Sequence, residues 1–202
     1  MDARLLLHRS LGVAIVLLMC SPAAAQEAQP KPRTHHVSLQ PGVFNNSAEG
    51  FEFGGLDLDA GRDTFYGAVS YRYSLNPSID LALHAGHWIG QWTTATSHIV
   101  ELASGFIGPG VRVNGRRRAA GRVVPYLQTN VYFVQEQLVL ERAWSKRVTQ
   151  NAFGVGLMGG LNVVLGERVS IPIEAIYLAT TGNAGIDDLS GVGLSIGVDL
   201  SF

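Results

Sequence analysis

The chain holds one cysteine, Cys20, and it lies inside an N-terminal segment that reads as an address. Arg4, His8 and Arg9 make a basic start, Leu11 to Met19 an apolar core, and Ala23 and Ala25 supply the small residues at which signal peptidase cuts. Residues 1–25 are therefore expected to be a signal peptide. A lipoprotein reading of Cys20 is disfavoured by Met19, which is larger than the small residue such a site places before its cysteine. Removal of the segment leaves no cysteine, which excludes disulfides, thiol chemistry and cysteine metal sites. Charge is also scarce, at 15% of residues with a net charge of −1. That argues against nucleic acid as a partner and against a disordered charged tail. After residue 25 no run approaches the roughly 18 apolar residues of a spanning helix. An exported, apolar chain without such a helix has one way to meet a bilayer: a closed β-barrel, in which every backbone group pairs internally.

What the sequence does have is period two. "GVGLSIGVDLSF" (191–202) sets Val192, Leu194, Ile196, Val198, Leu200 and Phe202 against glycine, serine and aspartate. Successive side chains of a strand point to opposite faces, so this is a ribbon with one apolar and one wet side. Seven more such runs precede it, at about 35–44, 63–75, 79–92, 98–113, 122–140, 149–165 and 168–180. A flexible lead, 26–34, comes before them. "NPS" (76–78) is a tight turn, and Gly108-Pro109-Gly110 predicts a bulge in the fourth run. Connections after the even runs are short on the whole; those after the odd runs are longer or more polar, led by 45–62. Its "FEFGGLDLD" alternates and is a candidate to extend the strands. Long strands, an even count and short turns on one side describe an all-β, eight-stranded antiparallel transmembrane up-and-down barrel over 35–202, with the short turns periplasmic. Phe44, Phe65, Tyr73, Trp92 and Trp144 fall near run ends, where an interfacial girdle is expected. A soluble sandwich or lipocalin-like barrel is the alternative, but its exterior would be the face rich in glycine and serine, which suits a crowded lumen better.

The signal peptide, the eight-run plan, "FYGAVSYRYSLNPSIDLALHAG" and the terminal "LSIGVDLSF" resemble the small Gram-negative outer-membrane barrels of the OmpX-like and OmpA-barrel-like kind. The resemblance implies residence in that membrane, contact with its lipids and lipopolysaccharide, and delivery by the barrel-assembly machinery. It also implies that Leu200 and Phe202 belong to the assembly signal. One enzymatic relative of that architecture, the lipid A 3-O-deacylases, uses a His-x-Ser pair on a late strand. Tyr177 and Ala179 stand where that pair would be needed, and the only His-x-Ser is His36-Val37-Ser38, at the periplasmic start of the first run.

An eight-stranded barrel is just wide enough to be filled by its own side chains. The inward set is expected to include Arg72, His84, Glu101, Tyr126, Gln128, Asn130, Tyr132, Glu136, Asn162 and Glu174. Buried charges need partners, so the leading reading is a plug in which Arg72 pairs with a glutamate. A narrow or gated pore is the alternative, and catalysis a distant third. No cofactor is expected, since no phosphate loop, Gly-x-Ser-x-Gly or His-Glu-x-x-His occurs. Adjacent His35 and His36 point to opposite faces and make a poor metal pair. The acidic 49–63 segment lacks the spacing of a calcium loop. Arg142, Trp144, Lys146 and Arg147 form a basic, aromatic outer segment suited to lipid phosphates. Arg112, Arg116, Arg117, Arg118 and Arg122 form a second cluster, placed at a periplasmic turn near anionic headgroups.

Overall fold

The computed structural model describes residues 35–46, 52–53, 56–57, 64–93, 99–115, 122–141, 146–181 and 190–202. The signal-peptide and lead segments lie outside them. Eight barrel strands follow one another: β1 (His35–Asn46), β2 (Thr64–Asn76), β3 (Ile79–Thr93), β4 (Ile99–Asn114), β5 (Val123–Glu141), β6 (Lys146–Val164), β7 (Val169–Thr180) and β8, which is broken into Gly191–Ile196 and Val198–Ser201. Each pairs antiparallel with its chain neighbours, and β1 also pairs with β8, so the sheet closes. Two terminal residues fasten that seam: Phe202 N donates to the His35 carbonyl at 3.0 Å, and His35 N to Phe202 O at 3.3 Å. The "FEFGGLDLD" stretch does not lengthen β1 or β2. Its Glu52–Phe53 and Leu56–Asp57 pair with each other as a separate ribbon.

The burial pattern turns a soluble protein inside out. Leu194 and Phe153 on the outer face are 62% and 65% exposed, while Trp88 and Tyr132 inside are 1% and 0% exposed. On β1 the apolar outer face runs from His35 to Asn45. Around the barrel the same upper limit is marked by exposed Gln135, Asn151 and Thr181. Roughly ten residue steps of about 3.3 Å, inclined by about 40°, span about 25 Å, the height of an outer-membrane apolar band. Water cannot be the solvent of so continuous an apolar belt around a polar interior; the wall spans a membrane.

Short turns close one end. Asn76 accepts from Ser78 N at 2.8 Å through its side chain, which shapes the turn after β2, and a register shift between Ser74 and Asn76 precedes it. The expected bulge at Gly108-Pro109 is instead a gap: pairing stops after Ile107↔Phe133 and resumes at Gly110↔Asn130 with unchanged register. Pro109 has no N–H for the ladder, and Asn130 Nδ2 reaches from inside to the Gly108 carbonyl at 3.3 Å. No residue is inserted. The alternation of connection lengths also fails at β5–β6. That connection is only 142–145, because the ladder of β5 with β6 continues to Leu140↔Lys146, well above the belt.

Candidate functional site

The lumen is the candidate site, and it has two storeys. The lower one, toward the short turns, is built on charge. Arg72 on β2 is 3% exposed and donates from Nη1 to Asp80 at 3.2 Å and from Nη2 to Asp199 at 2.5 Å. The partner expected was a glutamate; the observed partners are aspartates, Asp80 on the neighbouring β3 and Asp199 on β8, two strands away on the other side of β2. Glu174 is not within reach, because β7 sets it opposite Ser195, four residues from Asp199 along β8. Asp80 also accepts from Ser74 at 2.7 Å and from Asn114 Nδ2 at 2.9 Å, and Asp199 from Ser170 at 3.1 Å. Both carboxylates are thus saturated with donors, which is what a buried charge requires.

Glu174 is satisfied by neutral donors, Tyr126 at 2.8 Å and Ser195 at 3.2 Å. Arg112 is a correction to the turn-cluster reading: it is buried, donates to Asn114 at 2.9 Å and lies 3.4 Å over the Tyr126 ring. That cation–π contact replaces headgroup contact. Its cluster partners Arg116, Arg117 and Arg118 lie outside the described residues. Gln128 donates to Asn130 at 2.8 Å, so both serve the gap at Gly108. Asn162 is half-buried, and its Oδ1 has no hydrogen-bond partner among the described residues.

The upper storey is built on rings. His84, fully buried, is its floor, contacting the Tyr132 hydroxyl through Nδ1 at 2.6 Å and the Tyr66 hydroxyl through Nε2 at 3.3 Å. Above it Phe44 stacks on Trp88 with centroids 5.7 Å apart, and Phe106 meets Tyr132 edge-on at 5.1 Å. Phe44 is therefore a lumen residue and not part of the girdle; its place on the wet face of β1 puts it there. Phe65 and Tyr73 do face outward, and Trp92 and Trp144 have side chains outside the described residues. Two glycines make room for the tyrosines: a Cβ at Gly156 would strike the Tyr132 ring, and one at Gly160 the Tyr126 ring.

Ser74, His36 and Asp199 stand in the order of a hydrolytic triad, with Ser74 Oγ 3.3 Å from His36 Nε2 and His36 Nδ1 3.5 Å from Asp199. The geometry argues against a nucleophile. Ser74 gives its proton to Asp80 at the shorter distance of 2.7 Å, and Asp199 is held by Arg72. His35 turns outward, where it stacks on Phe202 and accepts or donates at the Tyr71 hydroxyl, 2.7 Å away. Tyr177 is exposed on the outer wall.

Sequence reasoning placed Arg72, His84, Tyr126, Gln128, Asn130 and Glu174 among the inward residues, and all are buried. The side chains of Glu101 and Glu136 lie outside the described residues. So do residues 142–145, with Arg142 and Trp144, and the side chains of Lys146 and Arg147. Asp80 and Asp199 were passed over as partners of Arg72, although both fall on the wet period of their strands, which was signal enough.

No family model matches the chain, and no curated protein does. Solved structures do. Neisserial surface protein A superposes with a TM-score of 0.62 at 17% identity, over 83% of this chain and 97% of that one. OprG of Pseudomonas aeruginosa gives 0.59 at 9% identity, over 87% and 99%. Ail, the attachment invasion locus protein of Yersinia pestis, gives 0.51 at 13% identity, over 84% and 99%, in its complex with the heparin analogue sucrose octasulfate. The fold is that of the small eight-stranded outer-membrane barrels.

Proposed function

We propose that this outer-membrane barrel is a surface-interaction protein with a side-chain plug, and neither an enzyme nor an open pore. The observation that carries the reading is the continuation of β3 to β6 above the apolar belt. The ladder of β5 with β6 runs on from Gln135↔Asn151 to Leu140↔Lys146, and that of β4 with β5 to Ile99↔Glu141. The other four strands end near the belt, at Asn46, Thr64, Thr180 and Gly191. Such a sheet is a platform above the bilayer, and the chain segment that joins β5 to β6 contains Arg142, Trp144, Lys146 and Arg147 in its sequence. A segment rich in guanidinium and ammonium groups with an indole among them in sequence suits phosphate and sulfate esters on sugars, the chemistry of lipopolysaccharide and of the polyanion bound by Ail. The plug reading is supported by the paired charges below and the close ring contacts above. Leu200 and Phe202, both outward on the closing strand, are assigned to the assembly signal, 1–25 to the signal peptide and 26–34 to the lead.

The test is binding of lipopolysaccharide and of heparin to the refolded barrel, beside Arg142→Ala/Lys146→Ala/Arg147→Ala. Loss of three cations from that segment is expected to weaken binding at least tenfold at low salt and to flatten its salt dependence. Unchanged binding would remove the segment from the function. Steady single-channel openings of the wild-type barrel in a planar bilayer would favour the pore instead.

A further inference from the structure

Four prolines sit in the barrel strands, and two of them, Pro41 on β1 and Pro172 on β7, converge on one point of β8. The bonds at the ends of the seams set the phase. The His35–Phe202 pair is doubly hydrogen-bonded, so alternate pairs from there, including Pro41 with Ile196, face each other across the β1–β8 ladder. Gly197 N donates to the Pro172 carbonyl at 3.0 Å, so Gly197 and Pro172 face each other across the β7–β8 ladder. Neither proline has an N–H. The successive carbonyls of Ile196 and Gly197 therefore face two residues that cannot donate, one on each side. This is where β8 is broken.

An open, shallow groove of about 410 Å³ lies on the outer wall beside that point, lined by the outward Pro41, Val43, Ile173, Ala175, Leu194 and Ile196, with Gly42, Glu174 and Ser195 between them; Pro172 and Gly197 do not line it. Its rim side chains are apolar and outward, with Leu194 the most exposed at 62%. It begins two residues below Asn45, inside the belt. A membrane lipid presents only its chains at that depth, so charged or peptide ligands are excluded.

We propose that this β7–β8–β1 groove is a seat for one acyl chain of an outer-membrane lipid. Pro41 and Ala175 are short side chains between the larger Val43, Leu194, Ile196 and Ile173, so the wall is scooped there and ridged on both sides. A chain lying in the groove regains dispersion contacts that a void would forfeit. It also lies against Ile196, one of the two β8 residues whose carbonyl faces a proline.

Native mass spectrometry of the refolded barrel, incubated with dimyristoyl phosphatidylethanolamine and then held in detergent, tests the proposal. One retained lipid per barrel is expected, lost at least tenfold in Ala175→Phe, which fills the groove. Val131→Phe, on the outer face of β5, is the control and is expected to retain it; heat-dependent gel mobility reports that each variant has folded. No retained lipid on the wild-type barrel, or equal retention in both folded variants, would overturn the seat. Failure of Ala175→Phe to fold shifts the reading to Leu194→Ala, which widens the groove and is expected to lower retention.

Discussion

The lower lumen and the upper lumen fill the same narrow tube with opposite chemistry. Below, Arg72 is held between two aspartates and every carboxylate oxygen has a donor. Above, Phe44, Trp88, Phe106 and Tyr132 exclude water by contact. A charged plug is costly to break, because removing one partner leaves a desolvated ion uncompensated. An aromatic plug loses energy in proportion to the volume removed and tolerates repacking. His84 joins the two, with a ring that packs upward and nitrogens that bind tyrosine hydroxyls.

The sharpest way to break this comparison is Arg72→Ala. It leaves Asp80 and Asp199 buried without a cation and is expected to cost about 3–5 kcal/mol, read from urea unfolding in lipid vesicles. A loss under about 1 kcal/mol would reduce the lower storey to ordinary polar filling. In the upper storey Phe106→Ala is expected to cost about 3 kcal/mol by the same measurement, with the neighbouring rings partly closing the space. A cost well beyond that would mean the rings cannot relax, and the two storeys would be equally brittle. The smallest expected effect is at the joint. Tyr132→Phe removes the hydroxyl bound to His84 Nδ1 and is expected to cost about 1–2 kcal/mol. Because the ring remains, a near-zero result would show that the joint is held by packing and not by its hydrogen bond.

Much of this barrel was legible in the chain. The eight runs match the strands within a few residues, because period two is a local property that any membrane-spanning strand must display. The inward residues followed from the same phase: Arg72, Tyr126 and Glu174 lie on the wet face of their strands whatever the neighbours do. Where the reading went astray, the missing information was long-range. Phe44 was assigned to a girdle by its nearness to a run end, although its phase pointed inward. Arg112 was grouped with arginines a few residues along the chain, when the ring it covers belongs to the next strand.

The sequence by itself determined the strand count, the solvent of each face and which side chains turn inward, since alternation and strand length are written residue by residue. Only closure of the barrel decided which charge meets which. Asp199 reaches Arg72 across 127 positions of chain because β8 closes on β1 and β1 on β2. The convergence of Pro41 and Pro172 on Gly197 has the same origin. Both depend on register, a relation between distant strands that no single strand carries.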